Sequence, residues 1–382
     1  MNARKLKALV VAAASLLLLS APSWAATYVY VSNADDGDIG MYLLQRDGSL
    51  KPGERFKAEK VVMPMTVSAD KRFLIAAVRS KPYSAYTYAI DRSSGSLKLV
   101  GTGTLAESFP YISLDNSSRF LFGASYGGNL VSVNPVGPDG RVGDPLQVIP
   151  TARNAHSIRV DKTNRYVFAP HLGTDQIFQF IFDQKTGHLT ANTPPVLQLA
   201  QGTGPRHIII SSDNRFAYLL SELVATVSTL AIDGSTGQLK LVSTATALPP
   251  DSKLVPGMPR GAVGTPGANQ APRDTTNDIW ASDLHLTPDE KFLYALERTS
   301  NTVAGFSVDK ASGKLSYLAS VPTEKQPRGF AIDPTGRFIV VSGEKSETIS
   351  SYAIDQSSGA LNLVGKYPTG KGSNWVEIVS FD

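Results

Sequence analysis

From Ala26 onward the apolar residues fall in short runs separated by clusters of Asp, Asn, Gly and Ser, with no sustained 3.6-residue period. That pattern predicts strands joined by tight turns and argues against helices. One phrase recurs: a polar turn, a basic residue, then an aromatic opening an apolar strand. It reads SADKRFLIAA, DNSSRFLFGA, DKTNRYVFAP, SSDNRFAYLL, TPDEKFLYAL and DPTGRFIVVS, with aromatics Phe73, Phe120, Tyr166, Phe216, Phe292 and Phe338 separated by 47, 46, 50, 76 and 46 residues. Counting back 45 from Phe73 reaches Tyr28 in TYVYVS, a seventh copy without its leading strand.

A second phrase follows each aromatic, and its glycines Gly48, Gly95, Gly140, Gly187, Gly237, Gly313 and Gly359 lie 20 to 22 residues further on. Glycine supplies the positive φ of a tight hairpin. Each unit of about 46 residues therefore reads as four short strands, a propeller blade. The chain ends in SNWVEIVSFD, a strand with no blade after it, while the first copy lacks its inner strand; pairing the two closes the ring and removes the open edges. The predicted fold is all-β, a seven-bladed β-propeller of four-stranded antiparallel blades. The 76-residue gap exceeds the others by about 30, an excess falling within 249–278, a stretch rich in Pro, Gly, Thr and Asn. It reads as a long inserted loop, either a functional lid or disordered.

The first 25 residues change the picture of where the protein works. Arg4, Lys5 and Lys7 precede an uncharged run from Ala8 to Ser20, and small residues follow up to Ala25. This predicts a secretory signal peptide over 1–25, too short in its apolar part to span a membrane. A single propeller domain over 26–382 is then periplasmic or secreted, with no membrane insertion after cleavage. The formal charge is +4, of which those three residues supply three, so the remainder is nearly neutral and gives nucleic-acid binding no support. There is no cysteine, hence no thiol nucleophile and no acceptor for a lipid.

Equivalent offsets in a propeller occupy equivalent heights around the channel. Ten residues before the aromatics lie Met63, Pro110, His156, Arg206, Ser282 and Arg328; six after them lie Arg79, Tyr126, Leu172, Glu222, Arg298 and Glu344. Grouping Arg, His and Glu at one end of a channel is costly unless they pair with one another or with a ligand. His207, Asp283 and His285 are further polar candidates on or near inner strands. Gly123-Ala124-Ser125-Tyr126-Gly127 has the Gly-x-Ser-x-Gly spacing but follows a predicted strand with no helix after it, so it makes no strand-to-helix nucleophile elbow, and no Gly-rich phosphate loop occurs. His156 and His171 make only a weak metal pair, and no metal or cofactor is expected. Direct water attack under acid-base control is favoured over a covalent intermediate.

The segments MPMTVSADKRFLIAAVRS, AHSIRV, GPRHIIISSDNRFAYLLSEL, IWASDLHLTPDEKFLYALERT and PTEKQPRGFAIDPTGRF resemble the propeller-type 6-phosphogluconolactonase family. That family includes propeller gluconolactonases and fungal carboxymuconate-lactonising enzymes, and the likeness runs over nearly the whole chain after the leader. It implies that the chemistry falls on His156, Arg206, Glu222 and Arg328, with Arg206 and Arg328 meeting the developing oxyanion and His156 or Glu222 taking the water's proton. Arg79, His207, Asp283, His285 and Arg298 are the expected substrate contacts. The chain departs from the family phrase NEL at Ser221-Glu222-Leu223, in PHLGTD after His156, and in the insertion. The resemblance implies a sugar lactone as substrate. Export favours free D-glucono-1,5-lactone over its 6-phosphate; a muconate-type cyclase and a non-catalytic binding platform are the alternatives.

Overall fold

The computed structural model describes residues 26–261 and 274–381; residues 1–25, where the signal peptide is expected, and the middle of the insertion, 262–273, lie outside the described residues. Those residues form 28 strands, β1 to β28 in chain order, and no helix. The strands make seven four-stranded antiparallel sheets, the predicted blades. Closure is as expected: β28 (Ser373–Phe381) pairs antiparallel with β1 (Ala26–Asn33), from Ala26 opposite Phe381 to Asn33 opposite Ser373.

The recurring turn has a common physical cause. Five residues before six of the seven aromatics a short polar side chain accepts the aromatic's own N–H, among them Asp115 for Phe120 at 2.9 Å, Asp161 for Tyr166 at 3.0 Å, Ser211 for Phe216 at 3.0 Å and Asp333 for Phe338 at 2.7 Å. This fixes the turn between the inner strand and the second strand of the blade.

The two recurring phrases turn out to be halves of one contact. Each blade's aromatic packs on the hairpin glycine of the next blade: Tyr28 on Gly95, Phe73 on Gly140, Phe120 on Gly187, and so on to Phe338 on Gly48, which closes the circle. A Cβ on Gly48 would lie 2.3 Å from the Phe338 ring. Positive φ, +85° at Gly48, is thus only half of what the glycine provides. The other half is room for the neighbour's ring, which buries aromatic surface worth about 1.5–3 kcal/mol per side chain.

Both ends of the insertion are held against the propeller between β19 (Leu239–Thr246) and β20 (Ala281–Leu286). The Val255 N–H donates to the Asn277 carbonyl, the Ile279 N–H to the Val255 carbonyl, both at 2.9 Å, and the Gly257 N–H to the Leu223 carbonyl at 2.8 Å. Whether 262–273 is a lid or disordered falls outside the described residues.

Candidate active site in the channel

The position ten before the aromatic is singled out by the backbone. In blade 5 the pairing jumps between Pro205 and His207, in blade 7 between Pro327 and Gly329, and in blades 2 and 6 between Val62 and Met65 and between Ala281 and Leu284. Arg206 and Arg328 are therefore single bulged residues, while Met63 shares its bulge with Pro64 and Ser282 with Asp283; a bulge re-aims a side chain out of the regular alternation. The residue six after the aromatic is pinned in turn. Its N–H donates to the carbonyl twelve before the aromatic: Arg79 to Val61, Leu172 to Asn154, Glu222 to Gly204, Arg298 to Trp280, Glu344 to Gln326. Gly204 has φ +62° and Gly329 lies 2.6 Å, measured from an added Cβ, from the Asn374 carbonyl. These are the glycines that let GPRH and QPRGF approach so closely.

Both rows meet at one mouth. Arg79, Tyr126, His156, Glu222, Arg298 and Arg328 line a cavity of about 100 Å³, joined by Trp280 and by Arg260 and Gly261 of the insertion. Glu222 is the hub. Its Oε2 accepts from Arg206 Nε at 2.8 Å and Arg298 Nη2 at 3.0 Å, and its Oε1 from Trp280 Nε1 at 3.1 Å. The Arg260 and Arg298 guanidiniums stack on Trp280 at 3.8 and 3.7 Å from the ring centroid, one on each face, a cation–π sandwich. The Tyr126 hydroxyl donates to the Arg260 carbonyl at 2.7 Å and so ties the insertion to the mouth. Arg328 pairs with Glu344 at 3.3 Å. Among the described residues Arg79 has only Ser108 Oγ at 3.0 Å and Met63 Sδ at 3.1 Å as acceptors.

The electrostatics favour an anionic guest. Four guanidiniums and one carboxylate line the cavity; behind them stand Arg206 and Glu344, one of each sign. Burial first, then their mutual repulsion, pushes Arg79 down to about 9, while burial, partly offset by Glu222, pushes Arg298 to about 9 and Arg206 to about 10. All three stay charged at neutral pH. His156 is 5% exposed, and its Nδ1 is buried without a hydrogen-bond partner among the described residues. Burial, then repulsion from Arg206, holds the imidazole well below its usual range. It is neutral.

Of the predicted site residues, His156, Glu222, Arg328, Arg79 and Arg298 come together here, and Arg206 lies beneath them at 1% exposure. His207, Asp283 and His285 do not join them. Arg206 Nη1 donates to His207 Nε2 at 2.9 Å, so His207 donates from Nδ1 to Asp283 at 2.8 Å. Burial, then Arg206, pushes His207 down to about 3. This layer floors the mouth, and its far side, with His285, lines a larger cavity of about 490 Å³ at the opposite end of the channel. Volume does not locate the chemistry; the smaller cavity holds the converging guanidiniums and the unpartnered His156. The remaining histidine of the weak pair, His171, is satisfied internally by the Ala169 carbonyl and Thr151. Arg260, Trp280 and Tyr126 were missed as contacts. Tyr126 stood in the plus-six row, and Trp280 sits twelve before Phe292, at the height of Gly204 and Gln326. Arg260, inside the insertion, has no counterpart in another blade from which to read its height.

The fold is a closed seven-bladed propeller with a buried imidazole beside several guanidiniums in its channel. A model of the family described as "Lactonase, 7-bladed beta-propeller" matches residues 24–378, and the chain belongs to that family of lactone-opening ester hydrolases. It is similar to the 6-phosphogluconolactonase of Pectobacterium carotovorum, 36% identical over 354 residues and covering 93% of this chain and 99% of that one. The 6-phosphogluconolactonase of Serratia proteamaculans is 37% identical over 352 residues, 92% and 98% of the two chains. Among solved structures, the periplasmic gluconolactonase of Pseudomonas aeruginosa superposes with a TM-score of 0.80 at 28% identity, covering 94% of this chain and 100% of that one.

Proposed function

We propose that the chain hydrolyses a sugar lactone, D-glucono-1,5-lactone to gluconate, in the periplasm. The carrying observation is His156, neutral and with an unpartnered nitrogen, beside guanidiniums that converge on one small cavity. Water adds to the ring carbonyl carbon as His156 takes its proton. The negative charge that develops on the carbonyl oxygen is met by Arg328, Arg298 or Arg79. Collapse breaks the bond to the ring oxygen, which leaves with the proton returned by His156, and the carboxylic acid formed ionises and acidifies the medium. Glu222, with both oxygens engaged by three donors, orients Arg206, Arg298 and Trp280 and leaves the proton transfer to His156. The leader-like segment at 1–25 and the likeness to the Pseudomonas aeruginosa periplasmic protein support the free lactone and the compartment.

The surplus of positive charge around the cavity favours a second reading, the 6-phosphate of the same lactone, whose name the two curated relatives carry. A pH-indicator assay with both lactones, each corrected for spontaneous opening and run before and after chelation, separates the two. The free lactone should turn over faster, with no loss on chelation. Preference for the phosphate would move the assignment to the second reading, and acceleration of neither would leave a muconate-type cyclase or a binding platform.

A further inference from the structure

The larger cavity is ringed at one height by the residues seven before six of the aromatics and by Glu377 of the closing strand. Arg159, Ile209 and His285 pair with Phe168, Tyr218 and Tyr294 of the adjoining strand, Glu377 with Tyr30, and Thr66, Ser113 and Ala331 hold the same register in the other blades. All seven line the cavity. The inner strand runs about 3.3 Å per residue, so this layer lies roughly 10 Å along the axis from the row that carries His156 and Arg328. The mechanism uses none of these side chains.

Two of them carry opposite charges that do not meet. Arg159, in blade 4, donates from Nε and Nη2 to the Tyr111 hydroxyl oxygen and forms no ion pair among the described residues. Glu377 stands across the lumen in blade 1, accepts from Trp375 Nε1 at 2.9 Å, and likewise has no ion pair among the described residues. Burial pushes Glu377 up to about 7, against the weaker opposing pull of the Trp375 hydrogen bond and of His285 and Arg159, as expected of a buried carboxyl with no cation in direct contact. His285, between them in the ring, touches Asp283 Oδ2 at 3.2 Å and is about one-third exposed. Trp375, Leu286 and Ile332 supply partly exposed apolar wall. A cavity of this volume, half apolar and with a few convergent polar groups, has the make-up of a small-molecule site.

We propose that this opposite mouth is a second binding site, for a small open-chain hydroxy acid whose carboxylate lies on Arg159 and whose hydroxyls reach Glu377 and His285. The choice of a hydroxy acid rests on the lactonase reading, because lactone opening makes such an acid; the cavity does not depend on it.

Calorimetric titration of the full chain with D-gluconate, and with D-sorbitol as the same chain lacking the carboxylate, tests this. Arg159→Met removes the cation, Thr66→Phe fills the lumen without touching the Arg159–Tyr111 contact, and Arg328→Met disables the other mouth. Gluconate binding should survive Arg328→Met, fall at least tenfold with Arg159→Met and with Thr66→Phe, and exceed sorbitol binding at least tenfold. Gluconate binding lost in Arg328→Met and kept in Thr66→Phe, equal binding of sorbitol, or no binding at all overturns the second site. A protein that opens lactone but lacks Thr66-sensitive gluconate binding refutes only this inference. One that binds gluconate there but opens no lactone refutes only the lactonase reading.

Discussion

The rings of His156 and His207 lie 5.2 Å apart, centroid to centroid, yet they belong to different mouths of the channel. His156 faces the small cavity with a nitrogen that has no hydrogen-bond partner among the described residues. His207 has both nitrogens spent, one accepting from Arg206 and the other donating to Asp283. The floor between them is a hydrogen-bonded layer, so the two histidines share an environment and divide the labour.

The depressed basicity of His156 has a kinetic consequence. An ordinary histidine base loses activity as pH falls through about 6.5, but this one is held well below that value and stays unprotonated there. The profile of kcat/KM against pH should therefore be flat from pH 8 down through 6.5. An acid limb with its midpoint near 6.5 would show that His156 is not the base or is not buried as described.

Arg260 reaches the mouth from the insertion, and its side chain has the Trp280 face as its contact. A guanidinium so placed is available to an anionic part of the substrate. Arg260→Ala should raise KM for the 6-phosphate lactone about tenfold, roughly the 1.4 kcal/mol of one exposed charge contact, and leave kcat nearly unchanged. An equal change for the free lactone would mean that the loop acts by shape alone.

The interblade lock sets a stability test. Gly48→Ala places a Cβ 2.3 Å from the Phe338 ring at φ +85°, combining the left-handed backbone cost with overpacking, together about 2–4 kcal/mol. Phe338→Ala opens the space. The double variant should be less destabilised than the sum of the two single ones by at least ~1 kcal/mol in chemical denaturation; simple additivity would refute the lock.

Acid should destabilise the fold. In the native state His156, His171 and His207 are held below 6.5, His171 at about 4 and His207 at about 3, chiefly by burial. The unfolded chain takes up these protons as pH falls through 6.5 and the native state does not. Glu377 works the other way, since burial raises it to about 7 and the native state gains its proton before the unfolded chain does. Three against one leaves about two protons favouring the unfolded chain between pH 6 and 5, or roughly 3 kcal/mol per pH unit. The thermal midpoint should drop markedly from pH 7 to pH 5; an unchanged or higher midpoint would contradict the buried neutral histidines.

Much of this was legible because a propeller repeats. The aromatic of each copy marks where the second strand starts, so offsets from Phe73 or Phe338 translate into height, and two rows of the sequence found most of the small cavity. The sequence pattern could not show that Gly48 serves Phe338, since that contact joins the two ends of the chain. Nor could offsets alone tell that His207, one residue after a bulged arginine, turns to the other side of the floor. The third row, with Arg159 and Glu377, was open to the same arithmetic; it escaped because only His285 in it drew notice, and Glu377 belongs to a closing strand with no aromatic following it.

The measurement that bears most directly on the central claim is the initial rate of D-glucono-1,5-lactone opening by the wild type and by His156→Ala, each corrected for the spontaneous reaction. Loss of a positioned general base costs about 10²–10⁴-fold in rate, so kcat should fall by that factor while circular dichroism and the thermal midpoint show an intact propeller. A folded His156→Ala protein that opens the lactone as fast as its parent would contradict the account.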